Sequence, residues 1–387
     1  MSSASRHDHI RAAMERHVEA GSVAGLVWAV STPDETSRGA AGTFGPNGTG
    51  EAVQPNTLFR LSSVTKPIVA AAVLTLVDDG TMALDDPVDR WLPELADRRV
   101  LVRPDAPLTE TVPASRPILV QDVFELRLGL GYDFTADQPS AVLAALEEAG
   151  VHMGPPAPQA NPAPDAWMKI VGRVPLMYQP GERWLYNIGA EVLGVLAARA
   201  AGSSLPSLLR ERLLDPLGMS DTAFHVSTTD RHRLGPVWKP AQDGEPSTAY
   251  DGPDGQWSRP PAFPNAADGL VSTVDDVAAV GALLLGAGTR HTEQVLKPGT
   301  IAAMTTDRTG PISPDRRGWG LGIGVLTQDE PGGRHARSYG WDGGLGSSWW
   351  NDPVTQTTAV LLTNRMWADP TPPQIMQDFW TAAFGPL

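Results

Sequence analysis

The sequence predicts an α/β fold in which one sheet is assembled from both ends of the chain and a mostly helical region is inserted between them. Two observations carry this. Strand-like sequence rich in Val and Trp and punctuated by glycine occurs at Ala24–Val30 and again from Gly318 to Asn364, whereas Ala190 to Leu217 repeats its apolar residues at helical spacing. The expected division is a sheet unit from residues 1–100 and 262–387 and a helical unit from 101–261.

Taken in order, MSSASRHDHIRAAMERHVEAG reads as an amphipathic helix, AGLVWAV as a strand, and the stretch near GAAGTFG as its hairpin partner. In LFRLSSVTKPIVAAAVLTLVDDG the apolar residues follow helical periodicity from Ser63 towards Val77, with Gly80 as the stop. Pro67 fits this helix only in its first turn, which puts Ser62 or Ser63 at the boundary. Two Pro-rich segments, Arg103 to Pro117 and His152 to Trp167, read as long surface loops and candidate walls of a substrate cleft. Helical pattern returns in EVLGVLAARAAG and LPSLLRERLLDPLGM, and Pro373 to Phe384 reads as a closing helix. The apolar run VAAVGALLLGAG falls short of the roughly 20 residues a membrane span needs and reads as a buried helix.

Composition narrows the function. The chain has 387 residues, 41% of them hydrophobic, which is enough for a sizeable core. A formal charge of −14 repels phosphate backbones and anionic lipid, so neither nucleic acid nor a membrane surface is an expected partner. The absence of cysteine excludes disulfides and thiolate catalysis. The histidines form no H-E-x-x-H pair, so no metal is expected, and no cofactor. The N-terminal segment has no apolar stretch of signal-peptide length, from which a cytoplasmic protein is expected.

The tetrapeptide Ser63-Val64-Thr65-Lys66 carries the first chemistry. Helix positions three apart share a face, so the serine hydroxyl and the lysine amine come within reach of each other. A serine hydroxyl needs a base to remove its proton, and a partly desolvated lysine can assist. An arbitrary S-x-x-K is also what an N-cap serine and a solvated lysine produce. Here the flanks are apolar, and lysine occurs only at Lys66, Lys169, Lys239 and Lys297, so a lysine in that context needs a purpose.

LFRLSSVTKPIVAAAVLTLVDDGTMALDDPVDRWLPEL resembles the nucleophile segment of the class C β-lactamase-like serine hydrolase superfamily, closest to family VIII carboxylesterases. PGERWLY, LLDPLGMSDTAF and ADGLVSTVDDVA resemble further blocks of the same family in the same order. The resemblance implies a β-lactamase/penicillin-binding-protein-like antiparallel sheet flanked by helices, with an inserted all-α domain and the site between the two. It implies Ser63 as nucleophile, Lys66 and Tyr186 as its proton-handling partners, and an oxyanion hole from the backbone N–H groups of Ser63 and Gly344. Trp341, Asp342 and Gly343 resemble the W-G-G of family VIII esterases, where β-lactamases have K-T-G. Asn187 and Ile188 follow the tyrosine where β-lactamases have Y-x-N, and these five residues are expected at the substrate. Lys297 opens KPG but precedes the helix-like TIAAM, and does not fill the K-T-G role. In DVFELRLGLG, Leu126, Arg127 and Leu128 replace the family's polar H-T-S-G-like stretch. Arg127 there either faces solvent or pairs with a carboxylate, at the edge of the substrate pocket.

The function expected is a carboxylesterase acting on small esters through a seryl acyl-enzyme. The alternative is an acyltransferase or amide synthase that hands the same acyl group to an amine or alcohol. β-Lactamase, D-aminopeptidase and a non-catalytic binding protein are the remaining readings, and the sequence leaves the oligomeric state open. No G-x-S-x-G occurs at a strand-to-helix turn, which argues against an α/β-hydrolase.

Overall fold

The computed structural model describes residues 3–136, 140–240, 247–286, 295–312 and 317–385. Helix α1 (Ser3–Glu19) leads into the hairpin β1 (Gly25–Ser31) and β2 (Thr36–Gly42). The helices that frame the centre are α2 (Thr65–Asp78), α3 (Ile188–Ala201) and α4 (Val274–Leu284). Five strands follow, β3 (Arg317–Trp319), β4 (Gly324–Leu326), β5 (Tyr339–Gly343), β6 (Ser347–Asp352) and β7 (Thr357–Thr363), before α5 (Gln374–Phe384). Together with β1 and β2 they form a seven-stranded sheet in the order β2-β1-β7-β6-β5-β4-β3. All of its pairings are antiparallel.

Both faces of the sheet are covered, which explains why its central strands read as continuous apolar runs rather than as alternation. In β1, Leu26, Trp28 and Val30 join a core with Ile10 and Met14 of α1 and Phe379 of α5. Val27 and Ala29 point the other way, into the large core shared with Val280 of α4 and Val360 and Leu362 of β7.

Helix α2 is buried from Thr65 to Leu76 and packs against α3. Its start differs from the sequence expectation: Ser62–Val64 form a 3₁₀ turn, and the α-helix begins at Thr65. Pro67 is then its third residue, where a missing N–H leaves no bond unmade. Gly80, at φ +83°, stops the chain just past the helix end, in a conformation that glycine adopts without strain.

The Pro-rich segments are more ordered than loops. Thr111–Pro113 pairs with Arg99–Leu101, and the first segment borders a cavity of about 520 Å³ whose lining includes Arg98, Ser115 and Arg116 but none of Ser63, Lys66 or Tyr186. The second segment ends in a helix, Pro164–Val171. Before that helix, Met153 and Pro156 accept hydrogen bonds from the hydroxyls of Tyr132 and Tyr250. Among the described residues no single helix is long and apolar enough to cross a membrane. The pair Ile188–Ala201 and Leu205–Leu217 passes on length and composition only across an 80° bend. Most of its apolar residues are buried in the core.

Three residues before Ser63, Arg60 anchors the approach to the nucleophile. It lies on the strand Phe59–Arg60, paired with Val271–Ser272. Its guanidinium contacts Asp251 at 2.6 Å and donates to the carbonyls of Gly235 and Gly252, with both charged side chains under 5% exposed (2% and 4%). Removing one partner of such a buried pair leaves the other charge uncompensated, so Arg60→Ala should cost about 3–5 kcal/mol of stability. Denaturant unfolding of the two proteins measures this, and a loss well under 1 kcal/mol would mean that the pair is not an anchor.

Candidate active site

Ser63 is half-exposed while its neighbours Ser62 and Val64 are buried, so the turn presents one hydroxyl to the cleft. Ser62 holds φ +47°, a left-handed conformation that costs a serine energy and turns the chain sharply at this point. Backbone bonds brace it. Leu61 N–H donates to the carbonyl of Leu270, and the Ser347 hydroxyl of β6 donates to the carbonyl of Leu61 at 2.5 Å.

Lys66 is 2% exposed. Its ammonium donates to Ser63 Oγ and to the Ala267 carbonyl, both at 3.0 Å, and lies 4.4 Å from the centroid of the Tyr186 ring. Tyr186 is placed by a two-way backbone pairing with Tyr132. The next residue, Asn187, sits at φ 77°, ψ −64°, and Ile188 N–H bonds back to the Tyr186 carbonyl across it. This is a γ-turn of the rare positive-φ kind, which opens α3 immediately after the tyrosine. From the other side Trp341 Nε1 donates to the Tyr186 hydroxyl at 2.9 Å. The structure thus brings Ser63, Lys66, Tyr186 and Trp341 together.

Strand β5 alternates its faces, and that decides the fate of the third box. Gly343 lies on the side of Trp341, where a Cβ would come 2.3 Å from the Leu61 carbonyl oxygen, so only glycine lets β5 approach the nucleophile turn. Gly344 follows the strand, and its N–H has no partner among the described residues. The Ser63 N–H belongs to the opening 3₁₀ turn, where the first amides lack an acceptor within the helix.

Other expectations need correction. Asp342 faces away from the cleft: it is buried, accepts from Ser348 Oγ (2.7 Å) and Trp350 Nε1 (2.9 Å), and pairs with Arg317 at 3.4 Å. The β-strand period of two sends it behind the sheet when Trp341 faces forward. Ile188 is 1% exposed in the main core, because it opens a helix whose first turn is buried. Both residues are buried, at 8% exposure for Asp342 and 1% for Ile188. Asn187 contributes its backbone turn, with no capping bond from its side chain. Arg127 is not simply solvated; it stands 3.8 Å from Glu125 and lines a cavity of about 380 Å³ beside the cleft.

An aromatic cluster surrounds the site. Tyr186 has Phe134, Trp184 and Trp341 at ring-centroid distances of 5.4, 5.5 and 6.0 Å, and Trp319 meets Trp341 edge-on at 4.8 Å. Such rings offer apolar area around a few placed polar groups, as small-molecule sites do.

Three comparisons bear on this arrangement. The β-lactamase family model matches residues 10–374. Esterase EstB of Burkholderia gladioli is 31% identical over 340 residues, covering 81% of this chain and 79% of that protein. Acyltransferase calJ of Penicillium decumbens is 26% identical over 369 residues, covering 85% and 82%. Among solved structures, that of EstCE1, described as a hydrolase with promiscuous acyltransferase activity, superposes with a TM-score of 0.82 at 22% identity, covering 99% of both chains, which bears on the fold.

Behind Lys66 lie two buried carboxyl groups that the sequence reading missed, Glu191 of α3 and Asp268. Burial pushes Glu191 up to about 8, helped by the nearby Asp268 charge and opposed by the Asn265 amide, which donates to it at 3.0 Å. Burial likewise raises Asp268 to about 6, with Lys66 opposing. Signals existed for both: Glu191 is the one acidic residue in the apolar row IGAEVLGVLAARAA, and Asp268 lies at the head of the family-like block ADGLVSTVDDVA. Because the folded protein holds the Glu191 proton more tightly than the unfolded chain, whose ordinary value is 4.5, it loses stability as pH rises from there to about 8. Glu191→Gln, which keeps the acceptor for Asn265 but cannot ionise, should therefore gain stability relative to the parent between pH 5 and pH 9. Unfolding midpoints at the two pH values test this, and a constant difference would rule the protonated carboxyl out.

Proposed function

The chain belongs to the β-lactamase family, and we propose that it works there as a carboxylesterase that passes small esters through an acyl-enzyme on Ser63. The observation that carries this is the buried Lys66 ammonium donating to the one accessible hydroxyl of the turn, with Tyr186 held against it by Trp341. Ser63 Oγ attacks the ester carbonyl as its proton goes to the Tyr186 oxygen, which acts as a phenolate beside the Lys66 cation, and from there to the leaving alkoxide. Water repeats the sequence on the acyl-enzyme, releasing the acid and restoring the serine. The amides of Ser63 and Gly344 face the developing oxyanion in this reading. The indole N–H of Trp341 holds the phenolic oxygen of Tyr186 in place while that oxygen gains and loses a proton. The chemistry needs no cofactor, and a cytoplasmic location, checked by cell fractionation, is part of the proposal.

A second reading keeps the acyl-enzyme and replaces water by an alcohol or amine. The 26% identity to an acyltransferase over 85% of the chain favours it. Product analysis with added alcohols and amines separates hydrolysis from transfer.

Ser63→Ala should lower turnover of an activated short-chain aryl ester by about three orders of magnitude. Lys66→Ala and Tyr186→Phe should each cost nearly as much, and the double variant little more than either. Additive losses in steady-state kinetics would assign the two residues independent roles.

The third box makes a further distinction. β-Lactamases hold the carboxylate beside the scissile amide with the K-T-G lysine, and here Trp341 offers a neutral donor already engaged by Tyr186. The Y-x-N position holds Ile188, buried in the core. Catalytic efficiency on neutral aryl esters should therefore exceed that on nitrocefin by tenfold or more. Kinetics on both substrates with one preparation decide it, and nitrocefin turnover at or above ester turnover would falsify the esterase assignment.

A further inference from the structure

We propose that the cavity beside Tyr186 is an acyl-chain pocket that recognises a carboxylate at the far end of the chain through Arg127, so that monoesters of dicarboxylic acids are preferred substrates. The proposal rests on the carboxylesterase reading and names its substrate class. The cavity, of about 380 Å³, is lined by Arg127, Phe134, Arg183, Trp184, Pro311 and Ile312 among others. Two of these, Phe134 and Trp184, have their rings 5.4 and 5.5 Å from that of Tyr186, so the cavity lies next to the cleft on the side of that ring. Phe134 is 61% exposed, an apolar surface left uncovered at the entrance. An alkyl chain covers such a ring at a gain of about 25 cal/mol per Å² removed from water.

Among the described residues, Arg127 is the arginine lining this cavity that has no carboxylate at hydrogen-bond distance. Arg183 is matched by Asp133, to which it donates at 2.8 and 3.2 Å. Arg308 and Arg127 share Glu125: Arg308 takes one carboxylate oxygen at 2.6 Å, and Arg127 stands 3.8 Å from the other. One carboxylate cannot neutralise two guanidinium groups. Two further acids are nearby. Asp307 accepts from the backbone amides of Thr309, Gly310 and Trp319, and Glu182, which also lines the cavity, is exposed and accepts from the Gln179 amide. Neither contacts Arg127. The Arg127 side chain is 26% exposed, open enough to meet a ligand and sheltered enough to hold one, and its planar fork suits a carboxylate. Its direction is set by Leu126, held at φ +54° with its carbonyl accepting from Leu185 N–H. A neutral acyl chain would give this cation nothing to do.

The test uses mono-p-nitrophenyl esters of the dicarboxylic acids from glutaric to sebacic, each beside its methyl-capped neutral counterpart. At the chain length that reaches Arg127 the free acid should exceed its capped partner in kcat/KM by about tenfold, through KM. Added salt should erode the ratio, since the guanidinium is partly solvated. In Arg127→Gln the ratio should fall to near one, and Arg127→Lys should restore part of it. Equal efficiencies at every length, or a ratio unmoved by Arg127→Gln, would overturn the proposal. If no aryl ester is turned over, the carboxylesterase reading fails, and calorimetry reads the pocket by itself. Monomethyl suberate should then bind Ser63→Ala and not Ser63→Ala/Arg127→Gln, and absence of binding to Ser63→Ala would again overturn it.

Discussion

A lysine ammonium sits in the apolar centre of this molecule, and much of the architecture answers to it. Lys66 lies in a helix whose other residues from Thr65 to Leu76 are also buried. A charge in that position is tolerated only with close partners. Those partners are the Ser63 hydroxyl, the Ala267 carbonyl and the face of the Tyr186 ring, drawn from three separate stretches of chain. Further bonds stitch two of these stretches together: Leu61 N–H reaches the Leu270 carbonyl, and Leu270 N–H reaches Thr65 Oγ1. Satisfying one buried cation thus brings the nucleophile, its proton partner and the wall behind them into one place.

Three of the seven non-glycine residues with positive φ among the described residues lie beside the same groups. Ser62, Leu126 and Asn187 all have positive φ, at 47°, 54° and 77°, and each adjoins a residue whose side chain faces the cleft or its extension: Ser63, Arg127 and Tyr186. Conformations of this kind cost about 1–3 kcal/mol each and persist where the surroundings over-determine them. Here the surroundings are hydrogen bonds from β6, from Leu185 and from Tyr132. The strain aims side chains that unstrained backbone would point elsewhere.

Strand β5 shows how one element serves two ends. On its forward face Trp341 holds the Tyr186 hydroxyl, and on its rear face Asp342 ties Ser348, Trp350 and Arg317 into the layer beneath α5. Ser348 in turn accepts from Trp380 of that helix. The rear network fixes the strand that carries the front donor.

The sequence by itself determined the family, the sheet drawn from both ends, the helix that carries Lys66 just after Ser63, and Tyr186 in its P-G-x-x-W-x setting. These are legible because apolar periodicity is local, and because S-x-x-K needs only one helical turn to bring its two groups together. Only the tertiary structure decided which neighbours of a motif share its face. Asp342 and Ile188 adjoin site residues in sequence yet turn away, since a strand reverses its side chains at every residue and a helix entering the core buries its first turn. It also decided the partners that come from afar: Glu191 and Asp268 behind Lys66, Phe134 beside Tyr186, and Arg308 sharing Glu125 with Arg127. Local sequence carries no record of such meetings, because what brings these groups together is the packing of α2, α3 and the sheet around one buried charge.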